Sequence, residues 1–173
     1  MSGNALPEAQ REVQRLLGRC LLRIQQYERL MKGLLAQHEL AGSQEGLEEQ
    51  RARRSEKFSD KTLGTLVKSL LETCVVPEGF ERDSLPEDRV PPDRTLMAFS
   101  FRVSMEPAQW AQTRTAIEEL VGLRNELVHH LIERFDVWTE EGCMSAARHL
   151  QASYERIDRH CLQLQAWAKG MAA

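Results

Sequence analysis

The sequence predicts an all-α protein, an up-down bundle of four to five helices. Three observations carry that prediction. Apolar residues recur at three- and four-residue steps through long stretches of the chain. Only one short run, 96–104, concentrates the aromatic and β-branched residues of a strand. Four of the six prolines crowd into 75–95, leaving the periodic stretches uninterrupted. Helices with one linear apolar stripe each pack most simply when all stripes face a common interior.

From Pro7 to Gln37 a long helix is expected, with Leu17, Cys20, Ile24, Tyr27, Met31, Leu34 and His38 on its seam. Gln25, Gln26, Arg29 and Lys32 lie on the far side, and Leu22 is the exception there. The stretch AGSQEG breaks the pattern with two glycines, after which the charged run Gly46 to Lys57 resumes as a weaker, solvated helix. Ser59-Asp60 has the form of a helix start, followed by Leu63, Leu66, Val67, Leu70, Leu71 and Cys74 on one face. Residues 75–95, rich in proline and charge, predict a long surface loop. In 96–104, Phe99, Phe101 and Val103 alternate with Ser100 and Arg102, as in one isolated strand or extended segment. Pro107 suits the first position of a helix that runs to about Phe135. Thr139, Glu140 and Glu141 then supply a cap and an acidic first turn for a last helix. Its seam is Ala147, Leu150, Tyr154, Ile157, Cys161, Leu164 and Ala168.

At 173 residues the expectation is a single domain, 1–173. Lys and Arg total 23 against 26 Asp and Glu, so the net charge of −3 argues against a polybasic nucleic-acid arm and confines any anion site to a local cluster. The 42% hydrophobic and 28% charged content is that of a folded chain. The opening residues lack the basic and apolar regions of a signal peptide, and no run approaches the roughly 18 apolar residues of a membrane span. A cytoplasmic location without a membrane partner is therefore expected. Cys20, Cys74, Cys143 and Cys161 form no CxxC pair and cluster with no histidine set, so buried reduced thiols are expected, with no disulfide and no structural zinc.

If any segment carries chemistry, it is the helix from 107 to 135. At about 100° per residue, Ile117, Leu120, Leu127, Val128, Leu131 and Phe135 share one broad face, and Arg124 falls in its middle. A guanidinium in an apolar stripe costs several kcal/mol unless it pairs with a carboxylate, reaches a crevice or binds an anion at an interface. Asn125 and His129, one turn apart, share the neighbouring flank with Glu118 and Gly122. Such a trio suits phosphodiester cleavage without a metal. An imidazole can take the proton from a ribose 2′-hydroxyl or return one to the leaving oxygen. A guanidinium can hold the non-bridging oxygens as charge builds, and the amide can orient phosphate or ring. A second copy across a two-fold axis would supply a second imidazole.

The run Arg124-Asn125-Glu126-Leu127-Val128-His129 resembles the signature of the HEPN superfamily: an Arg, a polar residue that is usually Asn, a few variable positions, then His. The resemblance covers six residues, in an all-helical chain of suitable size. It implies a helical bundle that pairs through the motif helix and, when active, cleaves RNA with neither metal nor cofactor, often as a bacterial toxin or anti-phage defence effector. Arg124, Asn125 and His129 take the motif positions, and His130 is a second candidate because the spacing to His varies. A homodimer, RNA and a cognate antitoxin or regulatory protein are the implied partners. One branch carries a modified Tyr two positions after the His; here that position is Leu131, which argues against that form of regulation.

The competing expectation for this chain is a catalytically inactive HEPN-like binding or assembly module, or a helical scaffold. Under it Arg124 pairs with a carboxylate of another helix, and His129 and His130 are solvated or satisfied. Arg51, Arg54 and Lys57 are weaker candidates for contacting an RNA backbone, because Glu48, Glu49, Glu56 and Asp60 offset their charge. His38 is expected to be a core or cap residue, and His149 and His160 surface residues.

Overall fold

A computed structural model describes residues 5–42, 46–81 and 97–172. These residues are about 80% helical, with only short strands and no closed sheet, so the chain is all-α. In chain order the elements are α1 (Ala5–Gln37), β1 (Glu39–Gly42), α2 (Gly46–Ser59), α3 (Leu63–Thr73), β2 (Val75–Pro77), β3 (Met97–Ser100), β4 (Val103–Met105) and α4 (Pro107–Asn125), then a π-turn (Glu126–His130), α5 (Leu131–Arg134) and α6 (Glu140–Ala172). Counting α4, the π-turn and α5 as one helical segment gives five helices, within the range expected.

The backbone divides into two compact units. The first holds residues up to Glu28 together with Ile117–Ala166, and the second holds Arg29–Ala116 together with Trp167–Ala173. In the first unit α4 runs against α6, since Glu119 meets Arg156 and Glu126 meets His149. The first part of α1 runs along α6 in the same direction: Cys20 Sγ donates to the carbonyl of Leu150, and Arg23 meets Asp158 at 2.6 Å. The three helices thus alternate up, down, up around Leu16, Ile24, Leu120, Leu127, Leu150 and Ile157, all buried. The seam of α1 is centred on Val13 and Leu16 rather than Leu17, and Leu22 is 62% exposed, as its off-seam position requires. Along α6 the buried line is Cys143, Ala146, Leu150, Ser153, Ile157, Cys161 and Leu164. Ala147, Tyr154 and Ala168 flank it half-buried.

In the second unit α3 buries Leu63, Leu66, Val67 and Leu70. Its cap is Thr62, whose hydroxyl accepts from the N–H of Thr65, not Ser59-Asp60. Ser59 ends α2 instead and donates its hydroxyl to the carbonyl of Glu56. The 96–104 segment is not one isolated strand. β3 pairs antiparallel with β1, Leu40 opposite Phe99, and β4 pairs parallel with β2, Val75 opposite Val103. Extended backbone has to place its N–H and C=O groups somewhere, and partners come from stretches that read as linker and loop. Within the expected 75–95 loop, 75–77 is therefore strand. Gly79 then takes a positive φ of 79°, letting the N–H of Phe80 return to the carbonyl of Pro77. Residues 82–95 lie outside the described residues.

All four cysteines are free and buried, and burial pushes Cys20 up to about 11 and Cys74 up to about 12. No helix among the described residues is long and apolar enough to cross a membrane.

Candidate functional site at the π-turn

The segment carrying Arg124, Asn125 and His129 is not a uniform α-helix: α4 ends at Asn125 and the next five residues form a π-turn. A π-turn closes i→i+5 rings and so advances about 80° per residue rather than 100°. In an uninterrupted α-helix His129 would lie about 140° round from Arg124. An ideal wide turn takes back about 80° of that angle, which brings position 129 towards the sector between positions 124 and 125.

The same rotation explains why Arg124 is not in the middle of the apolar stripe. The buried positions are Ile117, Leu120, Leu123, Leu127 and Leu131. Leu127 and Leu131 swing towards the side of Leu123, leaving Arg124 half-buried at the edge and Val128 44% exposed. Ile132, one turn beyond Val128, is 73% exposed.

Arg124 has no carboxylate partner among the described residues. Its Nη1 donates to Asn125 Oδ1 at 3.3 Å, so guanidinium and amide are already neighbours. Asn125 and His129 are exposed. Among the described residues the only interaction of the His129 ring is an edge contact with His130 at 6.2 Å between centroids. His130 is committed elsewhere, its Nδ1 lying 2.8 Å from Glu133 Oε2 on the surface. Glu118 is exposed on α4, a turn and a half before Arg124.

Two residues at this place were not legible in the sequence. Glu126, the first residue of the π-turn, accepts from Arg134 Nη1 at 2.6 Å, and His149 Nε2 lies 2.8 Å from the same carboxylate oxygen. His149 is half-buried on α6, its ring 5.1 Å from that of Phe135. It was expected at the surface, and no periodic signal marks it. His160 is also half-buried. Its ring meets Tyr27 edge-on, and burial, then Arg156 and Arg159, hold its pKa below 6.5.

The weaker basic candidates lie in the second unit. Arg54 is spent on the fold: its guanidinium donates to the carbonyls of Leu35 and Ala36 at the end of α1 and lies 3.2 Å from His38 Nδ1. His38 is 3% exposed, with Nδ1 2.9 Å from the carbonyl of Leu35, and so serves as a core and cap residue. Arg51 is exposed and lines a crevice of about 560 Å³ with Gln37, His38, Leu40, Phe99 and Phe101. Lys57 lies over the ring of Phe58 at 5.7 Å. Among the described residues no three His, Cys, Asp or Glu side chains converge to hold a metal ion. Compared with protein-family models, with curated proteins and with solved structures, the chain finds no match.

Proposed function

We propose that the chain is a metal-independent endoribonuclease of the HEPN type, acting as a homodimer in a bacterial toxin or anti-phage role. The observation that carries this reading is the state of Arg124. Its guanidinium meets a neutral amide and no carboxylate among the described residues, so its charge remains available for a phosphate. His129, exposed and five residues beyond it across the π-turn, can take the proton of the ribose 2′-hydroxyl or donate one to the leaving 5′-oxygen. Attack of the 2′-oxygen on phosphorus breaks the bond to the 5′-oxygen and leaves a 2′,3′-cyclic phosphate. Arg124 opposes the charge that builds on the non-bridging oxygens, and Asn125 orients the guanidinium. The solvent-facing Val128 and Ile132 supply apolar surface beside the motif for a second copy, whose imidazole would serve as the complementary acid or base. A cognate antitoxin or other regulatory protein would act by covering the same surface.

The experiment is RNA cleavage by the wild-type protein and by His129→Ala in EDTA, with product ends and oligomeric state determined. The reading predicts a dimer whose cleavage survives chelation, leaves cyclic phosphate and is lost in the variant. Absence of cleavage by the wild type, or equal cleavage by both, contradicts it. A second reading, a catalytically inactive binding or assembly module, is favoured by Trp138 at 77% and Met144 at 58% exposure, apolar surface the reaction does not use.

A further inference from the structure

We infer that Glu126 is a positioning residue for the site proposed above: its carboxylate clasps the π-turn and so sets where His129 stands relative to Arg124. The inference rests on the ribonuclease reading for its catalytic consequence, but not for its structural one. Eight residues separate Glu126 from Arg134. In an uninterrupted α-helix they would be two turns plus about 80° apart, on different faces. The π-turn absorbs almost all of that offset, and the two side chains meet at 2.6 Å. The pair spans the whole wide turn, from its first residue to the last residue of α5.

The wide turn brings the ion pair together, and the pair, with Arg134 53% exposed, in turn favours the wide turn. His149 approaches from a separate helix, its Nε2 lying 2.8 Å from the same oxygen and 3.5 Å from Ser153 Oγ, while Phe135 packs against its ring. Glu126 is 27% exposed and His149 22%, so these contacts are better shielded from water than the surface pair of His130 and Glu133. Without the carboxylate, burial of Leu127 and Leu131 still holds the inner side of the turn, while its outer side, which carries His129, is free to shift relative to Arg124. Glu126 itself faces α6 rather than the motif side chains and touches no reacting atom.

The test uses Glu126→Ala, Glu126→Gln and His149→Phe, the last keeping a ring against Phe135. Arg15→Ala, which breaks an exposed pair with Glu12, serves as the control. Two quantities are read: the kinetics of RNA cleavage, and the nitrogen and proton resonances of the His129 ring. Expected is a tenfold to hundredfold fall in kcat for Glu126→Ala with KM little changed, because a small misplacement of a reacting group has costs of that order. Partial recovery is expected in Glu126→Gln, whose amide oxygen still accepts one of the two donors, and a smaller fall in His149→Phe. The His129 ring signals move in the same order, and neither quantity moves in Arg15→Ala. If the wild type cleaves no RNA, the ribonuclease reading fails and the His129 signals alone decide the clasp. Unmoved His129 signals in both Glu126→Ala and His149→Phe overturn it, as does wild-type kcat in Glu126→Ala.

Discussion

Arg124 and Arg54 are the same side chain in opposite employment. Arg54 has two carbonyls and a buried histidine within hydrogen-bond reach, at the end of a helix whose last carbonyls have no partners within it. Arg124 keeps only a loose bond to a neighbouring amide. A guanidinium with its donors spent on backbone acceptors is part of the fold, whereas one held at the edge of a core with its charge uncommitted is available to a ligand. The histidines divide the same way. His38 is enclosed by its own chain, His160 is half-buried against Tyr27, and His129 faces solvent.

The largest effect expected from this contrast is on activity. On the ribonuclease reading proposed above, Arg124→Ala and His129→Ala should each lower RNA cleavage by about 10² to 10⁴, the range for losing a positioned acid–base group or a charge-stabilising donor. The unfolding free energy of His129→Ala should stay within about 0.5 kcal/mol of wild type, as for an exposed position, and that of Arg124→Ala, half-buried and without an ion pair among the described residues, within about 1 kcal/mol. Equilibrium urea denaturation checks the second statement.

Next in size, Arg54→Ala should cost about 2 kcal/mol of stability in the same measurement, since it leaves the Leu35 and Ala36 carbonyls without a charged donor. A variant as stable as wild type would erase the distinction between the two arginines.

Smaller still is the pH response of His160, which faces Tyr27, Arg156, Arg159 and Glu119. Its folded pKa lies below 6.5, so the unfolded chain binds the proton more readily. That contribution to stability is complete above pH 6.5 and is lost as pH falls from 6.5 through the folded pKa. Denaturation at a series of pH values should show the slope, and His160→Gln should remove it.

The helices were legible because burial repeats every three or four residues, as Leu66, Leu70 and Cys74 do on consecutive turns. The two strand pairs were not. Each joins three- or four-residue stretches, such as Val75–Pro77 and Val103–Met105, whose partners lie far off in sequence. At the candidate site, Arg124, Asn125 and His129 were singled out by residue type and spacing. The π-turn could not be, because it is a shift of backbone hydrogen bonds that Glu126–His130 do not announce by type. That one shift misplaced the buried stripe, putting Arg124 at its centre instead of its edge. It also concealed the partnership of Glu126 with Arg134 and His149, which no uniform helical wheel aligns.

The most direct test of the central claim is to measure RNA cleavage and urea unfolding side by side for Arg124→Ala and Arg54→Ala. The predicted result is a crossed pattern: Arg124→Ala loses cleavage and keeps wild-type stability, and Arg54→Ala loses stability and, where folded, keeps cleavage. Cleavage undiminished in Arg124→Ala, or lost only in step with unfolding, would contradict it.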